Sequence, residues 1–297
     1  MTDDIRPARR GALATIGRVS ILRILFMGLV LMIGEGLIFA FHFEYGKGHI
    51  ALPYSLAADY SVSALLTLGL IGVYALLVRW LERRWPAETR PSAGWTVLGI
   101  VCGVGLFCAD YGVLSGLGVA HFEGMNGFAG VWPVFLIALV SGIAEELVFR
   151  GVLFRLLEDS FGTTAALILS AAVFGLLHGA NPGATLISSL AIAVEAGALL
   201  AAAYAWSRNL WLVMGLHFAW NFTEGGVFGA AVSGGAMKGV LNFPLSTQAP
   251  VLLTGGKFGP EASVVAVAVC FALAVVFMVL AARAGHWRGA RFRLLVG

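Results

Sequence analysis

Residues 131–153 read VWPVFLIALVSGIAEELVFRGVL, and this stretch decides the class of fold. A helix that crosses the hydrocarbon core of a bilayer needs about 20 mostly apolar residues, and this stretch supplies them. It nevertheless contains Glu145, Glu146 and Arg150, which are costly to place in lipid. The stretch therefore predicts a membrane-spanning helix that turns charged side chains towards the inside of a protein.

Seven further stretches favour the same interpretation. They lie near residues 22–42, 59–80, 95–118, 164–178, 183–206, 209–232 and 262–283. Of the 297 residues, 59% are hydrophobic and only 12% are charged, whereas a soluble domain carries about 25% charged residues. We therefore expect an all-α, polytopic membrane bundle of about eight transmembrane helices. A net charge of +3 does not favour nucleic acid as a partner, so the expected surroundings are the lipid bilayer.

The chain divides into four parts on this reading. Residues 1–130 hold helices 1–3, and the apolar core of the first helix is longer than that of a cleavable signal peptide. Residues 131–232 form the core helices 4–7. Residues 233–261 form a Gly- and Pro-rich extracytoplasmic loop, and residues 262–297 add the last helix and a basic cytoplasmic tail.

Basic residues fall on one side of the predicted bundle. With the N-terminus inside, the outer segments contain only Lys47, Lys238 and Lys257. The inner segments hold Arg6, Arg9, Arg10, Arg18, Arg83, Arg84, Arg90, Arg155, Arg208, Arg288, Arg291 and Arg293. Enrichment of Lys and Arg marks the cytoplasmic side, so we expect a plasma-membrane protein with both termini in the cytoplasm.

Ionisable residues inside apolar helices are functional candidates because each is costly unless it is paired or faces water. Glu146 and Arg150 stand at i,i+4, a spacing that favours an ion pair. Glu145 is then left without a local cation and is free to face a cavity as a general base or acid. The alternative is a salt-bridge knot that only locks helices together, which would need one acid rather than two.

Two further helices carry polar pairs at i,i+4. Phe174 and His178 share a face at the end of helix 5, where His178 is either a residue satisfied by backbone or an acid/base group. His217 and Asn221 share a face of helix 7, and two donors on one cavity suit an oxyanion site. An interhelical hydrogen-bond clamp is the alternative.

Four other acidic residues are interpreted without a catalytic role. Glu224 continues the face of His217 but lies nearer the outer end of its helix, where its carboxylate could snorkel. Glu35, Asp110 and Glu195 are isolated in the sequence and are expected to line cavities or to pack. The cysteines form no CxxC and predict neither a disulfide framework nor a cysteine-based zinc site.

Together the motifs resemble the CPBP family of intramembrane proteases, which includes the CAAX prenyl endoproteases and bacterial relatives of the Abi type. The resemblance covers residues 130–230 and rests on three motifs in the family's order: Glu145-Glu146-x-x-x-Arg150, Phe174-x-x-x-His178 and His217-x-x-x-Asn221. It implies an endopeptidase that hydrolyses a membrane-proximal peptide or protein. It does not settle the substrate or whether that substrate is prenylated.

The resemblance also implies a role for each matching residue. Glu145 would activate the attacking water with the help of His178. His217 and Asn221 would hold the tetrahedral oxyanion. The remaining motif residues would support the site: Glu146, Arg150 and Phe174.

Three alternatives stay open at this point. Glu145, His178 and His217 could instead form a His₂Glu zinc site, although the chain has no HExxH and Asn221 is a poor zinc ligand; we expect metal-free catalysis without a cofactor. Intramembrane Glu and His chains also serve proton- or ion-coupled transporters. The third alternative is a non-catalytic immunity or scaffold protein that keeps the fold of the family without its activity.

One feature conflicts with a single site. His178 lies near the outer end of helix 5, but His217 lies about eight residues from the inner end of helix 7. At 1.5 Å per residue the mismatch in depth is on the order of 10 Å. Either helix 4 extends beyond the membrane along 150–159, or the turn at 179–183 lies inside the protein.

Overall fold

A computed structural model describes residues 20–46 and 55–290 of the chain. Several basic residues that carry the orientation argument lie outside these described residues: Arg6, Arg9, Arg10, Arg18, Lys47, Arg291 and Arg293. The remaining inner arginines and outer lysines lie within them.

The described residues form nine helices and one two-stranded antiparallel sheet. The helices are α1 (Ser20–Gly46), α2 (Leu56–Leu81), α3 (Ala93–Gly116), α4 (Val131–Phe161), α5 (Thr163–His178), α6 (Leu186–Ser207), α7 (210–228), α8 (Val251–Thr254) and α9 (Val264–Arg283). The strands are β1 (Gly124–Met125) and β2 (Leu241–Asn242). Short 3₁₀ turns occupy Ala87–Thr89 and Pro260–Ala262.

Six of the described helices are long and apolar enough to cross a membrane, namely α1–α4, α6 and α9. The predicted helical membrane bundle is therefore present, and the protein is an integral membrane protein. The expected count of eight spans is not confirmed, because α5 has only 16 residues and α7 is not among the six. Helix α7 interrupts its apolar sequence with the polar residues His217, Asn221 and Glu224.

Capping side chains mark the beginning of several helices, and a glycine separates two of them. Thr185, Asn209 and Ser263 precede α6, α7 and α9, and each side chain accepts a hydrogen bond from a backbone N–H of the first turn. Such caps satisfy donors that would otherwise lack partners. Gly162, with φ of +85°, makes the sharp break between α4 and α5.

Three of the helices contain a π-helical segment. These segments are Leu147–Phe154 in α4, Ala193–Ala198 in α6 and Phe222–Phe228 in α7. Two of them lie at a sequence motif: Leu147–Phe154 begins after Glu146 and includes Arg150, and Phe222–Phe228 begins after Asn221. Such segments are uncommon and concentrate at functional sites, where they loosen the regular backbone ladder.

Glycines bring the helices of the bundle into close contact. A Cβ atom on Gly103 of α3 would lie 2.4 Å from the carbonyl oxygen of Leu216, and one on Gly142 of α4 would lie 2.9 Å from the amide nitrogen of Phe218. Both contacts are with α7, which is therefore packed against α3 on one side and α4 on the other. Gly105, two residues further along α3, has no such neighbour.

We expect Gly103→Ala to destabilise the bundle by about 1–3 kcal/mol because the new methyl group would overlap the backbone of α7. Gly105→Ala is the matched control on the same helix, and the gain in helix propensity should leave it neutral or slightly more stable. Thermal unfolding of the purified proteins in detergent measures both. Equal stability of the two variants would contradict the packing described for α3 and α7.

An ion-pair network joins the C-terminal parts of α2 and α4. Arg155 donates to both oxygens of Glu82 at 2.8 and 2.6 Å, and Arg84 donates to both oxygens of Glu88 at 2.9 and 2.7 Å. Tyr74 adds a hydrogen bond to Glu88 at 2.7 Å. Burial alone would raise the pKa of Glu88, but the hydrogen bonds from Arg84 and Tyr74 and the charge of Arg155 hold that pKa below its usual value.

Candidate active site

Glu146 is the centre of a buried polar cluster between α4 and α7. Its side chain is 0% exposed. One oxygen, Oε1, accepts a hydrogen bond from Arg150 Nη1 at 2.7 Å and lies 2.9 Å from His217 Nδ1. The ion pair expected from the i,i+4 spacing is therefore present, and it also reaches the motif on α7.

Arg150 ties this cluster to α5 and α6. Its Nη2 donates to the carbonyl oxygens of Ala196 and Gly197 at 3.2 and 3.1 Å. Both carbonyls belong to the π-helical segment of α6, where the ordinary helical pairing is disturbed. The guanidinium carbon also lies 4.8 Å from the centre of the Phe174 ring, a cation–π contact. Arg150 thus joins three helices around the buried Glu146.

The contact with Glu146 fixes the orientation of the His217 ring. Because Nδ1 faces a carboxylate, it carries a proton, and Nε2 is the ring nitrogen left for other partners. His217 is 7% exposed and lines a cavity on the other side of the ring. A carboxylate behind an imidazole is the usual means of setting which nitrogen points into a site.

His178 is oriented in a different way, by the end of its own helix. Its Nδ1 lies 2.9 Å from the carbonyl oxygen of Phe174, and the two rings pack with their centroids 4.5 Å apart. A carbonyl oxygen only accepts hydrogen bonds, so Nδ1 carries the proton. The Nε2 atom of the neutral ring is then an acceptor, as a proton-accepting group requires.

Glu145 points about 100° around α4 from Glu146, which pairs with Arg150. Among the described residues, its Oε2 atom is buried and finds no hydrogen-bond partner. It lines the same cavity as His178 and His217. Glu35 of α1 is close enough to act on Glu145 through its charge, so the two acids form a pair that the sequence did not suggest.

Asn221 is held by a residue that the motifs did not include. Its Nδ2 donates to Ser141 Oγ at 3.1 Å, and Ser141 in turn donates to the carbonyl oxygen of Ile137 at 3.0 Å. Ser141 lies one helical turn before Glu145, so Ile137, Ser141 and Glu145 form one face of α4. The four-residue spacing between Ser141 and Glu145 was the signal in the sequence that could have placed Ser141 in the site.

These side chains line one cavity of about 500 Å³. The cavity brings together Glu145, His178, His217 and Asn221 of the predicted site, whereas Glu146, Arg150 and Phe174 lie behind it. Sequence reasoning missed the other lining residues: Phe39, Phe43, Ile137, Ser141, Asn181, Pro182, Val232, Ser233, Gly235 and Met237. Helix α1 and the segment after α7 are thus part of the site.

The structure contains both adjustments that could remove the difference in depth between His178 and His217: an extended α4 and a turn after α5 that lies inside the protein. Helix α4 continues to Phe161, and its 31 residues span about 46 Å, which is more than the hydrocarbon thickness. Helix α5 is short, and the turn that follows it places Asn181 and Pro182 in the wall of the cavity. The end of α5 therefore lies at the depth of the motif on α7.

The loop from residue 229 onwards folds against this turn. Gly234 donates a backbone hydrogen bond to Phe258 at 2.7 Å, and its φ is +84°. A Cβ atom at Gly234 would lie 1.9 Å from the carbonyl oxygen of Pro182. Only glycine fits this position, which places the loop directly against the cavity wall at Pro182.

Asp110 and Glu195 are isolated in the sequence but not in the fold, and Glu195 lines a cavity as expected. Both lie near Glu224 and Glu261, close enough for the four carboxyl groups to interact through their charges. All four side chains are at most 3% exposed. Glu224 does not snorkel, since it is 0% exposed. The residues come from different helices, so no spacing in the sequence could reveal the cluster.

No three His, Cys, Asp or Glu side chains in the described parts of the chain are arranged to hold a metal ion. The three cysteines are free. The predicted donor set of Glu145, His178 and His217 shares the cavity wall but is not arranged as a three-ligand site.

A protein-family comparison matches residues 127–223 to the family described as "Type II CAAX prenyl endopeptidase Rce1-like". The matched segment begins just before α4 and ends just after Asn221, so it contains all three motifs. No curated protein and no solved structure matches the chain. The family match confirms the resemblance indicated by the motifs over about a third of the chain. The matched family is a family of proteases. In this protein the matched segment lies within the helices of an integral membrane protein.

Proposed function

We propose that the protein is an intramembrane endopeptidase of the CAAX-protease and Abi type. The observation that carries the proposal is the shared cavity, in which an unpaired carboxyl group, two oriented imidazoles and an amide donor face one another. Peptide hydrolysis needs a nucleophile, a proton acceptor and donors for the oxyanion. This set of side chains provides the last two, and water provides the first.

In the proposed reaction, Glu145 takes one proton of a water molecule as the water oxygen attacks the carbonyl carbon of the peptide, and His178 Nε2 accepts a hydrogen bond from the same water. His217, through Nε2, and Asn221, through Nδ2, donate hydrogen bonds to the oxyanion that forms. The C–N bond then breaks, and the proton held by Glu145 passes to the leaving amine. Glu146 stabilises the charged form of His217 that donates from both ring nitrogens, while Arg150 and Phe174 hold Glu146 and His178 in place.

The proposed orientation places the protein in the plasma membrane with its site towards the outer side. It is supported by the arginines that gather at one end of the bundle: Arg84, Arg155, Arg208 and Arg288. Lys238 and Lys257 lie in the segment at the opposite end. Lys and Arg are enriched on the cytoplasmic side of membrane proteins, so the termini would be cytoplasmic.

A cleavage assay with the purified protein in sealed vesicles tests the activity. The substrates are membrane-anchored peptides with and without a prenyl group. We expect cleavage products by mass spectrometry and no loss of cleavage with a zinc chelator. Loss on chelation with recovery on adding zinc would favour the His₂Glu zinc alternative. Solute flux without any peptide cleavage would favour a transporter and contradict the proposal.

Replacing Asn221 by alanine removes one oxyanion donor, and we expect kcat to fall by about 10²–10³-fold with little change in KM. Gln248→Ala is the control, because Gln248 is exposed in the outer segment. Steady-state cleavage of a single peptide measures both constants. A rise in KM with unchanged kcat would instead assign Asn221 to substrate binding.

A further inference from the structure

A second, smaller cavity lies directly behind the candidate active site. Its volume is about 20 Å³. Four residues line both cavities: His178, His217, Asn221 and Ser233. A space of this size holds at least one water molecule. We call it the rear chamber, defined by these four residues together with Trp220, Glu195 and Glu261.

Two buried polar atoms of the rear chamber are unpaired within the described residues. They are Trp220 Nε1 and Glu195 Oε2. Trp220 is 4% exposed and Glu195 is 2% exposed, so bulk water does not satisfy them. Buried polar groups are nearly always hydrogen-bonded, and such exceptions point to an ordered water or a ligand.

The chemistry of the two atoms selects water over an ion. The indole N–H is only a donor, and a carboxyl oxygen is chiefly an acceptor. A water molecule accepts from Trp220 and donates to Glu195 at once. The indole N–H would oppose a cation, and Glu195 and Glu261 would oppose an anion.

The surrounding residues hold these two groups in place. Cys270 Sγ lies 3.9 Å from the other oxygen of Glu195. The Trp220 ring packs edge-to-face on Phe107, with centroids 5.1 Å apart. At the far end, Glu261 accepts hydrogen bonds from both the amide and the hydroxyl of Ser233, at 2.8 and 2.9 Å. The rear chamber therefore has a few polar groups held in fixed positions within a lining that is otherwise apolar: Phe174, Ile192, Ala196, Leu199, Leu200 and Leu216.

We propose that the rear chamber is a water-retention site that supplies the water consumed at the candidate active site. The hydrocarbon region around the helices contains no water, yet each peptide bond that is hydrolysed consumes one molecule. Water held between Trp220 and Glu195 would lie next to the reaction cavity, because His178, His217, Asn221 and Ser233 line both spaces. The role in supply rests on the proposed function, whereas the binding of water does not. Trp220 and Glu195 are positioning residues in this scheme, not catalytic ones.

Radiolytic hydroxyl-radical footprinting of the intact protein in vesicles tests for the water, because radicals generated from a bound water label its buried neighbours. We expect Trp220 to be oxidised in the folded wild type despite its burial. Oxidation should fall several-fold in Glu195→Leu, which removes the acceptor, and should be retained in Glu195→Gln, which keeps one. Glu224→Gln is the matched control, since Glu224 is buried in the same acid cluster but lines neither cavity.

Peptide cleavage tests the supply of water separately. We expect Glu195→Leu and Trp220→Phe to lower kcat several-fold without changing KM, and Glu195→Gln to restore most of kcat. Absence of Trp220 oxidation in folded wild type, or equal oxidation in Glu195→Leu, would overturn the water site. Normal kcat in variants that have lost the labelling would overturn the supply role. Labelling as expected in a protein that cleaves no peptide would reject the proposed function and leave the water site standing.

Discussion

Glutamine in place of Glu145 is expected to lower kcat by at least about 10²-fold, the lower end of what a positioned general base contributes. The amide has nearly the shape of the carboxyl group but cannot take a proton from water. Stability should change little, because Glu145 is in no ion pair among the described residues and its Oε2 atom has no hydrogen-bond partner there. Steady-state cleavage and thermal unfolding measure the two effects.

Glu123→Gln is the matched control for this experiment. Glu123 is exposed in the segment between α3 and α4, and its side chain accepts a hydrogen bond from Asn242 at 3.1 Å. It should keep full activity. If Glu145→Gln also keeps full activity, Glu145 is not the base, and the role assigned to it in the proposed reaction is wrong.

Replacement of Arg150 by methionine should cost about 3–5 kcal/mol of stability, the largest structural effect we expect. Arg150 is 1% exposed and neutralises the fully buried Glu146. Methionine preserves much of the volume but leaves the carboxylate without its cation and the carbonyls of Ala196 and Gly197 without their donor. Unfolding in mixed micelles measures the loss.

The double variant Glu146→Gln/Arg150→Met separates charge from packing. Removing the carboxylate as well relieves the uncompensated charge, so the double variant should be more stable than Arg150→Met alone. Activity should not return, because glutamine does not stabilise charged His217. If the stability lost in the double variant equals the sum of the losses in Glu146→Gln and in Arg150→Met, Glu146 and Arg150 do not act as a pair.

The motif helices illustrate what local spacing can predict. Glu146 and Arg150 form their ion pair because i,i+4 residues always share a helix face. For the same reason His178 packs on Phe174. The apolar length of α1–α4, α6 and α9 likewise follows from the thickness of a bilayer. These features depend on residues within one helix, which the sequence specifies directly.

The features that were missed depend on contacts between distant segments. The cluster of Asp110, Glu195, Glu224 and Glu261 is assembled from several elements, so each acid looks isolated in the chain. The close contact between Gly234 and Pro182 joins a loop to a turn that lies about 50 residues earlier in the chain. The count of eight spans is not confirmed, because α5 has only 16 residues and α7 is not among the six described helices that are long and apolar enough to cross a membrane.

The origin of the oxygen in the cleaved peptide tests the central claim most directly. Wild-type protein and Glu145→Gln are incubated in parallel with one peptide in water enriched in heavy oxygen, and the products are weighed by mass spectrometry. We predict two complementary fragments from the wild type, with one heavy oxygen in the new carboxyl group, and almost none from Glu145→Gln. An intact peptide in both samples, or equal labelled fragments from both, would contradict the account.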